Sequence, residues 1–392
     1  MTDLNSGKLK VNNEKFPPSD WVETTLGQVC EKVGDGLHGT PRYSEYGEYF
    51  FINGNNIVNG KIEIKQDTKK VDQAEFDKYK KDLNERTILL SINGTIGNLA
   101  KYRNEKCILG KSAAYLNIKN DASVDFIYYL MFENRFQYDI SKNANGSTIK
   151  NVGLAQLRNY SFLLPPLLEQ IAIASVLSSF DDKIELLREQ NKTLEEMGQT
   201  LFNEKCIVKN EKLPEGWRIG KITEIIKREP VSYKCDKKDL DPKGKTPIID
   251  QGSNGLYGYT SRNPDFIATK ENPVILFTNH TCNYWFIDYP FCAIQNVLPY
   301  RGKDWYDEYI LYFMTKGSIT FIEYKGHWPD FEAKDFVIPP VEIAQKFSEI
   351  AKPILQKISD NNSQIQSLSK SRDELLPRLM RGEVRVSGEV KC

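Results

Sequence analysis

The chain has 392 residues and a formal net charge of zero, with 53 basic and 53 acidic side chains. Hydrophobic residues make up 40% and aromatic residues 11%, which excludes a mainly disordered chain and is enough for two hydrophobic cores. No apolar run is long enough to span a membrane, and residues 1–15 are polar without the apolar core of a signal peptide. We therefore expect a soluble, cytoplasmic protein that contacts no membrane.

Strand-like and helical runs alternate in the first part of the chain, after a Trp that follows a Pro turn (Trp21). The run TILLSINGTIGNLAKY predicts strand, turn, strand, because apolar residues flank a polar Asn-Gly-Thr turn. KNANGSTIK is almost entirely polar and predicts an exposed loop. Strands are predicted near Gly47, Lys61, Thr87 and Lys111, short helices from Val71 and Phe126, and the loop from Lys142.

The second part opens in the same way, with Trp217 after a Pro turn. PVILFTNHTCNYWFID again predicts strand, turn, strand around Asn279 to Thr281. Further strand signals begin at Thr246, and EYILYFMTKG predicts a helix from Glu308. Each part therefore mixes short helices with a bent, turn-rich sheet.

A Pro-Pro pair followed by a long helical pattern occurs twice, as LLPPLLEQ from Leu163 and VIPPVEIA from Val337, at a constant offset of 174 residues. Apolar residues recur at steps of four and three, which predicts one coiled-coil seam per helix. An ordinary, imperfect bundle helix would give a similar pattern. The predicted seam residues are Ile173, Leu177, Phe180, Ile184, Leu187, Leu194 and Leu201, then Phe347, Ala351, Ile354, Ile358, Ile365, Leu368 and Leu375.

Polar residues interrupt this seam. Asn191 and Asn361 fall on seam positions, where a polar side chain costs stability but can fix the register. Gly198 and Arg372 break the pattern, and Pro353 predicts a kink or a restart. The seam is therefore short, and the simplest arrangement buries one helix against the other.

These patterns divide the chain and give an α+β fold class. Two sheet-containing domains are expected to be separated by two long helices. The predicted boundaries are a flexible tail 1–15, a first domain 16–164, a first helix 165–205, a second domain 206–338, a second helix 339–382 and a C-terminal tail 383–392.

Seven cysteines are scattered along the chain without a C-x-x-C pair. This usage predicts reduced thiols and argues against a disulfide framework or a zinc site. Charge is uneven, since residues 101–158 carry nine bases and five acids while residues 181–205 carry four bases and seven acids. Ordinary solvated faces would explain either number.

The order of these motifs resembles the specificity subunit of type I restriction-modification systems. The resemblance rests on the repeated Pro-Pro helices, the paired Trp openings, the runs YFFINGNN and INGTIGNLA, and the ending ELLPRLMRGEV from Glu374 to Val384. It covers essentially the whole chain. The motifs are weak one by one, and their order and repetition make them specific.

This resemblance implies a non-catalytic chain. Two target recognition domains would flank two antiparallel helices in a pseudo-two-fold arrangement, and each domain would read one half of a split, asymmetric sequence in double-stranded DNA. The helices would set the unread spacer and dock two adenine-methyltransferase subunits, to which restriction subunits can be added. S-adenosylmethionine would belong to the modification subunits and ATP with Mg²⁺ to the restriction subunits, so no cofactor or metal is expected in this chain.

Candidate DNA-binding residues are amide, hydroxyl, basic and aromatic side chains in the turns, because such groups read base edges and phosphates. Asn53, Asn93 and Asn254 could instead serve turn geometry. His280 and His327 could be structural, and Trp328 could pack in the core. The candidates are Arg42, Asn53, Asn55, Asn93, Thr95, Lys142, Asn145, Ser147, Thr148 and Lys150 in the first domain, and Gln251, Ser253, Asn254, Tyr257, Arg262, Asn279, His280, Lys325, His327 and Trp328 in the second.

Catalytic motifs are missing from the sequence. It contains no G-x-x-x-x-G-K-[ST] loop and no Asn-Pro-Pro-Tyr methyltransferase motif, and its three histidines have no ligand spacing. Two alternatives remain: a scaffold that organises partners through its coiled coil without reading DNA, and an enzyme whose site has no recognised motif.

Overall fold

The structure, a computed structural model, describes residues 8–11, 18, 20–142, 144, 150–206, 213–252 and 255–387. It divides into two compact units. Unit 1 extends to Lys183 and resumes at Leu368, and unit 2 is Ile184–Ser367. Within the described ranges, no helix combines the length and the apolar character needed to cross a membrane.

The elements follow one another in this order. First come β1 (Lys8–Val11), β2 (Val22–Thr25), α1 (Leu26–Val29), β3 (Cys30–Asp35), β4 (Tyr49–Ile52), β5 (Ile57–Val58), β6 (Lys61–Ile62), β7 (Lys70–Val71), α2 (Gln73–Tyr79), β8 (Thr87–Ser91), β9 (Leu99–Lys101), β10 (Cys107–Leu109), β11 (Ala113–Ile118), α3 (Val124–Phe132), α4 (Asn134–Lys142), α5 (Leu154–Arg158), β12 (Ser161–Leu164) and α6 (Leu167–Cys206). Then come β13 (Arg218–Lys221), β14 (Ile226–Arg228), β15 (Lys234–Cys235), β16 (Thr246–Ile249), β17 (Leu256–Thr260), β18 (Val274–Thr278), β19 (Tyr284–Ile287), β20 (Cys292–Ile294), β21 (Val297–Gly302), α7 (Glu308–Thr315), α8 (Trp328–Ala333), β22 (Asp335–Ile338), α9 (Val341–Met380) and β23 (Val384–Ser387).

The two units repeat one sheet topology. Unit 1 has an antiparallel sheet of order β3-β11-β8-β9, and unit 2 has one of order β14-β21-β18-β19. A second sheet, of order β10-β4-β7 in unit 1 and β15-β20-β16-β17 in unit 2, contains parallel pairing in each case. The duplication that the sequence indicates in the helices therefore extends to the strand order of both domains.

Fully buried strands lie at the centre of each antiparallel sheet. All five residues of β8 and all five of β18 are buried, and each strand is followed by a turn and an antiparallel partner. This confirms both strand-turn-strand predictions. In unit 1 the core places Leu90 and Phe126 with Leu177 of α6 and Leu379 of α9, so the sheet, a short helix and both long helices share one core.

Unit 2 has a more aromatic core. Phe277 stacks on Phe331 with ring centroids 5.4 Å apart, and the Phe313 ring meets Phe347 edge-on at 5.9 Å. The Phe313 ring also lies against Gly198 of α6, where any Cβ would overlap it. Gly198 interrupts the heptad pattern because a neighbouring aromatic ring occupies the side-chain position.

The helices α6 and α9 begin directly after the two Pro-Pro pairs, where proline is compatible with a first helical turn. In unit 1 Asp181 of α6 meets Arg372 of α9, and Glu169 meets Arg385 just beyond α9. The partner number falls as the α6 number rises, so the helices run antiparallel there. The second helix continues through Pro353 without the predicted restart.

In unit 2 the helices are also antiparallel. Asn191 meets Asn361, and the Phe202 ring meets the Phe347 ring at 5.3 Å. Predicted seam residues are buried at Ile173, Leu177, Ile184, Leu187, Phe347, Ala351 and Ile354, and half-buried at Phe180, Leu194, Leu201, Ile358, Ile365, Leu368 and Leu375.

Several short elements differ from the sequence expectation. Residues 8–11 and 384–387, which we predicted to be tails, form the antiparallel pair β1–β23. Four-residue strands carry too little periodicity to be predicted from the sequence. The helices α5 and α8 were missed because five and six residues span less than two helical turns. The nine-residue helix α4 was missed although its sequence is amphipathic.

Candidate nucleic-acid interface

In unit 1 the turns after β4 and β8 lie side by side. Asn53 Oδ1 accepts a hydrogen bond from the Ser112 hydroxyl (2.9 Å), and Ser112 Oγ accepts one from the Gly54 N–H (2.9 Å). A Cβ on Gly54 would lie 3.5 Å from the carbonyl oxygen of Asn93, in the turn after β8. The fold therefore brings Asn53 and Asn93, two predicted candidates, together.

The tip of the turn after β8 faces solvent. Gly94 has a φ of +74°, in the left-handed region that glycine adopts without strain, and Thr95 is exposed. Asn93 forms an isolated antiparallel bridge with Asn151, which places the exposed Lys150 beside this turn. A hydroxyl and an ammonium group are thus available next to the Asn53–Asn93 pair.

Three other unit 1 candidates have different surroundings. Arg42 pairs with Asp72 (Nη2 to Oδ2, 3.1 Å) at the N-terminus of α2, and its N–H donates to Glu75. Asn55 is exposed and its carbonyl accepts from Lys65 Nζ, while Lys142 is exposed at the end of α4. The structure thus places Arg42 in an ion pair at the N-terminus of α2 and does not bring it to the turns after β4 and β8.

In unit 2 Gln251, just after β16, connects two turns. Its Oε1 accepts a hydrogen bond from the His280 N–H (3.0 Å). Its carbonyl oxygen accepts from Thr281 Oγ1 (2.7 Å) and Asn283 Nδ2 (3.2 Å). The turn after β16 is thereby tied to the turn after β18, as the equivalent turns are in unit 1.

A third segment joins this cluster. The His280 ring stacks on Tyr324, with centroids 4.9 Å apart and planes at 15°, and His280 Nδ1 lies 2.8 Å from the Lys325 carbonyl oxygen. Lys325 Nζ reaches Asp330 Oδ2 at 3.2 Å and Glu323 Oε1 at 3.6 Å. These two carboxylates balance the charge of the Lys325 ammonium, so Lys325 adds no net positive charge to this surface.

These contacts have electrostatic consequences. The pKa of Asp330 lies below its usual value, first because of its hydrogen bond from Lys325 and then because of that with His327. The pKa of Lys325 is raised, chiefly by its hydrogen bond to Asp330. Both groups are therefore charged at neutral pH, and a phosphate would compete with Asp330 for Lys325.

Two unit 2 candidates are packed inside the fold, and the half-buried Asn279 bonds to one of them. His327 is 1% exposed, with Nδ1 3.1 Å from Asp330 Oδ2, and Trp328 is 6% exposed within the aromatic core. Asn279 Oδ1 accepts the Trp328 N–H (2.9 Å), at the start of α8. Burial favours the structural interpretation of His327 and Trp328 over direct contact with DNA.

The last unit 2 candidates lie beyond the cluster or outside the described residues. Tyr257 is exposed on β17, and the exposed Arg262 guanidinium lies 3.7 Å from the centroid of the Tyr233 ring. The candidates outside the described ranges are Asn145, Ser147, Thr148, Ser253 and Asn254.

Residues 18–196 match the family model of the type I restriction modification DNA specificity domain. The type I restriction enzyme MjaIX specificity subunit of Methanocaldococcus jannaschii is 26% identical, over 94% of this chain and 94% of its own. The type I restriction enzyme HindI specificity subunit of Haemophilus influenzae is 25% identical over 47% of this chain and 40% of its own. The crystal structure of the type I restriction-modification S subunit from M. genitalium has a TM-score of 0.55 at 18% identity, covering 94% of this chain and 97% of that one.

Over most of its length, the chain is similar in sequence to type I restriction enzyme specificity subunits. The similarity to the S subunit extends over both units, which confirms the α+β class with two sheet-rich domains and long helices between them in sequence. The family-model match runs from the Trp21 opening into α6 and so contains the Asn53–Asn93 cluster.

Sequence reasoning missed one exposed surface of unit 2. Ile322 is 83% exposed, Tyr324 is 82% exposed, and Phe321 is 54% exposed, beside His280 and Lys325. Apolar side chains are normally expected to be buried, so they were not selected. The available signal was their position between the polar residues of a turn-rich segment.

Proposed function

We propose that this chain is the DNA specificity subunit of a type I restriction-modification complex, in which each unit reads one half of a bipartite, asymmetric target. One observation carries the proposal. The same strand order occurs twice, and each copy joins the turns after equivalent strands, with Asn53 and Asn93 in unit 1 but Gln251 and His280 in unit 2. Equivalent positions with different side chains suit two readers of different sequences.

The chemistry of the two clusters supports base reading. Amide groups offer a donor and an acceptor together and can bond adenine edges, whereas hydroxyls and ammonium groups suit either bases or phosphates. Tyr324 adds an exposed aromatic ring stacked on His280, which is a surface suited to a base or a sugar. Unit 2 would thus read through Gln251, His280, Tyr324 and Lys325.

The long helices would set the spacer. Each has 40 residues, which corresponds to about 60 Å. Two DNA-binding units joined by such helices can be separated by about one turn of DNA. Their surfaces would also dock two methyltransferase subunits, and restriction subunits would complete the complex.

The chain itself would be non-catalytic and cytoplasmic. S-adenosylmethionine would be bound by the modification subunits, and ATP with Mg²⁺ by the restriction subunits. The side chains described above bind and position double-stranded DNA but carry out no bond-breaking step in this proposal.

Co-expression with the cognate modification subunit tests the proposal as a whole. We expect a complex with about two methyltransferases per copy of this chain, and methylome sequencing should show a new bipartite adenine motif. A host methylome without any new motif, from cells in which the complex assembles, would contradict DNA specificity.

Salt dependence separates DNA reading from a scaffold role. If the units contact phosphates, the logarithm of the DNA affinity falls steeply and linearly with the logarithm of the salt concentration. A complex that assembles but binds DNA without such dependence would support the scaffold alternative.

Substitutions in unit 2 test the reading site. Lys325→Ala is expected to weaken binding about equally for all sequences and to lower the salt slope by about 1. Gln251→Ala is expected to cost about 1–3 kcal/mol of discrimination in one half-site only. Lys245→Ala is the matched control, because Lys245 is exposed at the opposite end of β16. Relaxed recognition of both half-sites by Gln251→Ala would refute separate readers.

A further inference from the structure

Three side chains with metal-ligating atoms meet in the second sheet of unit 2. Cys235 ends β15, Cys292 begins β20, and Asp265 lies between β17 and β18. One ligand atom from each, the two Sγ atoms and a carboxylate oxygen, all lie within 4.8 Å of one another. The cysteines are buried, at 3% and 0% exposure.

Strand pairing explains why the two sulfurs are close. In the parallel pair of β15 and β20, Cys235 lies opposite Ile294, two residues after Cys292. Residues two apart on a strand point to the same face, so Cys235 and Cys292 are diagonal neighbours on one face of the sheet. The scattered spacing of the cysteines in the sequence hides this proximity.

The carboxylate at this position is only partly satisfied. Among the described residues, Asp265 Oδ2 is buried without a hydrogen-bond partner, and Oδ1 accepts a long hydrogen bond from the Ser232 hydroxyl, at 3.4 Å. Buried polar atoms without a partner are rare and costly, and an ion is one of the groups that can satisfy them. The neighbouring thiols are weak hydrogen-bond donors and compensate poorly.

We propose that Cys235, Cys292 and Asp265 bind a zinc ion, with the fourth position taken by water. Two thiolates and a carboxylate form a donor set that suits Zn²⁺, while hard cations such as Mg²⁺ and Ca²⁺ prefer oxygen ligands. Zn–S bonds of about 2.3 Å in tetrahedral geometry would place the sulfurs about 3.8 Å apart, which agrees with ligand atoms that all lie within 4.8 Å of one another. Binding releases the two thiol protons to solvent.

Two further observations favour zinc over a disulfide. A Cys235–Cys292 disulfide would join the sulfurs but leave Asp265 Oδ2 without a partner. Zinc with two thiolates and one carboxylate carries one net negative charge, and the Arg262 guanidinium stacks on Tyr233, which packs against the same small core. A positive group is therefore already near the site.

The ion would connect three separate segments of unit 2. It would fasten β15 and β20 to the segment that precedes β18. Since β16 is hydrogen-bonded to β20 in the same sheet and carries Gln251 at its end, the ion would stabilise the base of one predicted DNA-contacting turn. The zinc site does not depend on that turn's proposed function.

Metal analysis of the purified full-length chain tests the proposal. After expression with zinc and purification without chelators, we expect about one zinc ion per chain by mass spectrometry. Cobalt substitution should give the intense sulfur-to-cobalt charge-transfer band of thiolate ligation. Cys235→Ser and Cys292→Ser should each lose the metal, and Asp265→Asn should lower zinc affinity by more than about tenfold.

Cys206→Ser is the matched control, because Cys206 is equally buried in unit 2 but belongs to a different core with Phe202. Its zinc content should be unchanged. If a cysteine variant fails to fold, Asp265→Asn and the cobalt spectrum of the unaltered chain still decide. A zinc-free chain under these conditions, or a chain whose Cys235 and Cys292 are joined in a disulfide, would overturn the proposal.

Discussion

Arg385 connects three parts of unit 1 through charged contacts. Its guanidinium donates to Glu169 of α6 at 2.8 and 2.6 Å and to Asp20 at 3.2 and 2.8 Å. Trp21 Nε1 also donates to Glu169 Oε2, at 3.1 Å. The Glu169 side chain is only 10% exposed, so it depends on these donors.

We expect Arg385→Ala to lower the free energy of unfolding of unit 1 by about 2 kcal/mol, because it leaves a buried carboxylate without its main partner. Urea denaturation followed by fluorescence measures this. Arg381→Ala is the control, since Arg381 pairs with Glu383 at the surface (3.2 Å) and should cost less than about 1 kcal/mol. Equal effects of the two variants would contradict the role of Arg385.

The same cluster predicts an acid-dependent stability. The hydrogen bond from Arg385 lowers the pKa of Asp20 below its usual value of 3.8. This contribution is fully present above pH 3.8 and is lost as the pH falls through the lowered pKa of the folded state. Between about pH 5 and pH 2, the unaltered chain should therefore lose more stability than Asp20→Asn does, as measured by denaturation at each pH. Identical pH profiles would show that Asp20 makes no such contribution.

Much of the candidate site follows from the sequence, but not the choice among similar side chains. Gln251 and His280 could be predicted to meet, because both lie in polar turns directly after buried strands. His280 and His327 both lie in turn-rich segments, and both were selected as candidates from the sequence. Their surroundings differ only in the folded chain. The helix α8 begins at Trp328, and His327, directly before it, is buried against Asp330 and Glu323.

At the level of elements, the helix pair of unit 2 contains a buried amide contact. Asn361 is 1% exposed and its Nδ2 donates to Asn191 Oδ1 at 2.8 Å, while Asn191 Nδ2 donates to Asn362 Oδ1 at 2.8 Å. Among the side chains that the structure describes, Asn361 Oδ1 is buried without a partner. Such a contact costs stability but selects one register of the two helices.

Replacing both Asn191 and Asn361 with Leu is expected to raise the free energy of unfolding of unit 2 by about 1–2 kcal/mol. Apolar burial then replaces an incompletely bonded pair. Chemical denaturation measures the gain, and Ser363→Leu, at an exposed position of α9 outside this amide contact, is the control. If the double variant is less stable than the unaltered chain, the two amides stabilise the helix pair as well as fixing its register.

Long periodic elements are the part of the fold that sequence predicts best. The bounds of α6 and α9 lie within two residues of the segments expected from the Pro-Pro pairs and the heptads. The pairing of β1 with β23 joins residues far apart in sequence, and neither four-residue strand has a pattern of its own. Non-local pairing of short strands cannot be deduced from local periodicity.

For the whole molecule, the two long helices are the only elements that pass from one unit to the other in the described part of the chain. If they set the spacer, longer helices should give a longer spacer between the two half-sites of the DNA target. Inserting one heptad between Lys183 and Ile184 and another between Ser367 and Leu368 adds about 10 Å to both helices and nearly preserves their faces.

We expect the double insertion to lengthen the methylated spacer while both half-sites stay the same, as read by methylome sequencing. Insertion into one helix alone is the control, because it mismatches the two seams and should abolish methylation. An unchanged spacer in an active double-insertion complex would refute the role of the helices as a ruler.

The pairing of β1 with β23 has a consequence for the path of the chain. Lys8 lies opposite Ser387, so the first and last described strands are neighbours in one ladder. The backbone thus passes through unit 1, α6, unit 2 and α9, and returns to where it began. A circularly permuted gene that joined these ends and opened the chain ahead of unit 2 should encode the same fold. Which unit is translated first is then a property of the gene and not of the folded protein.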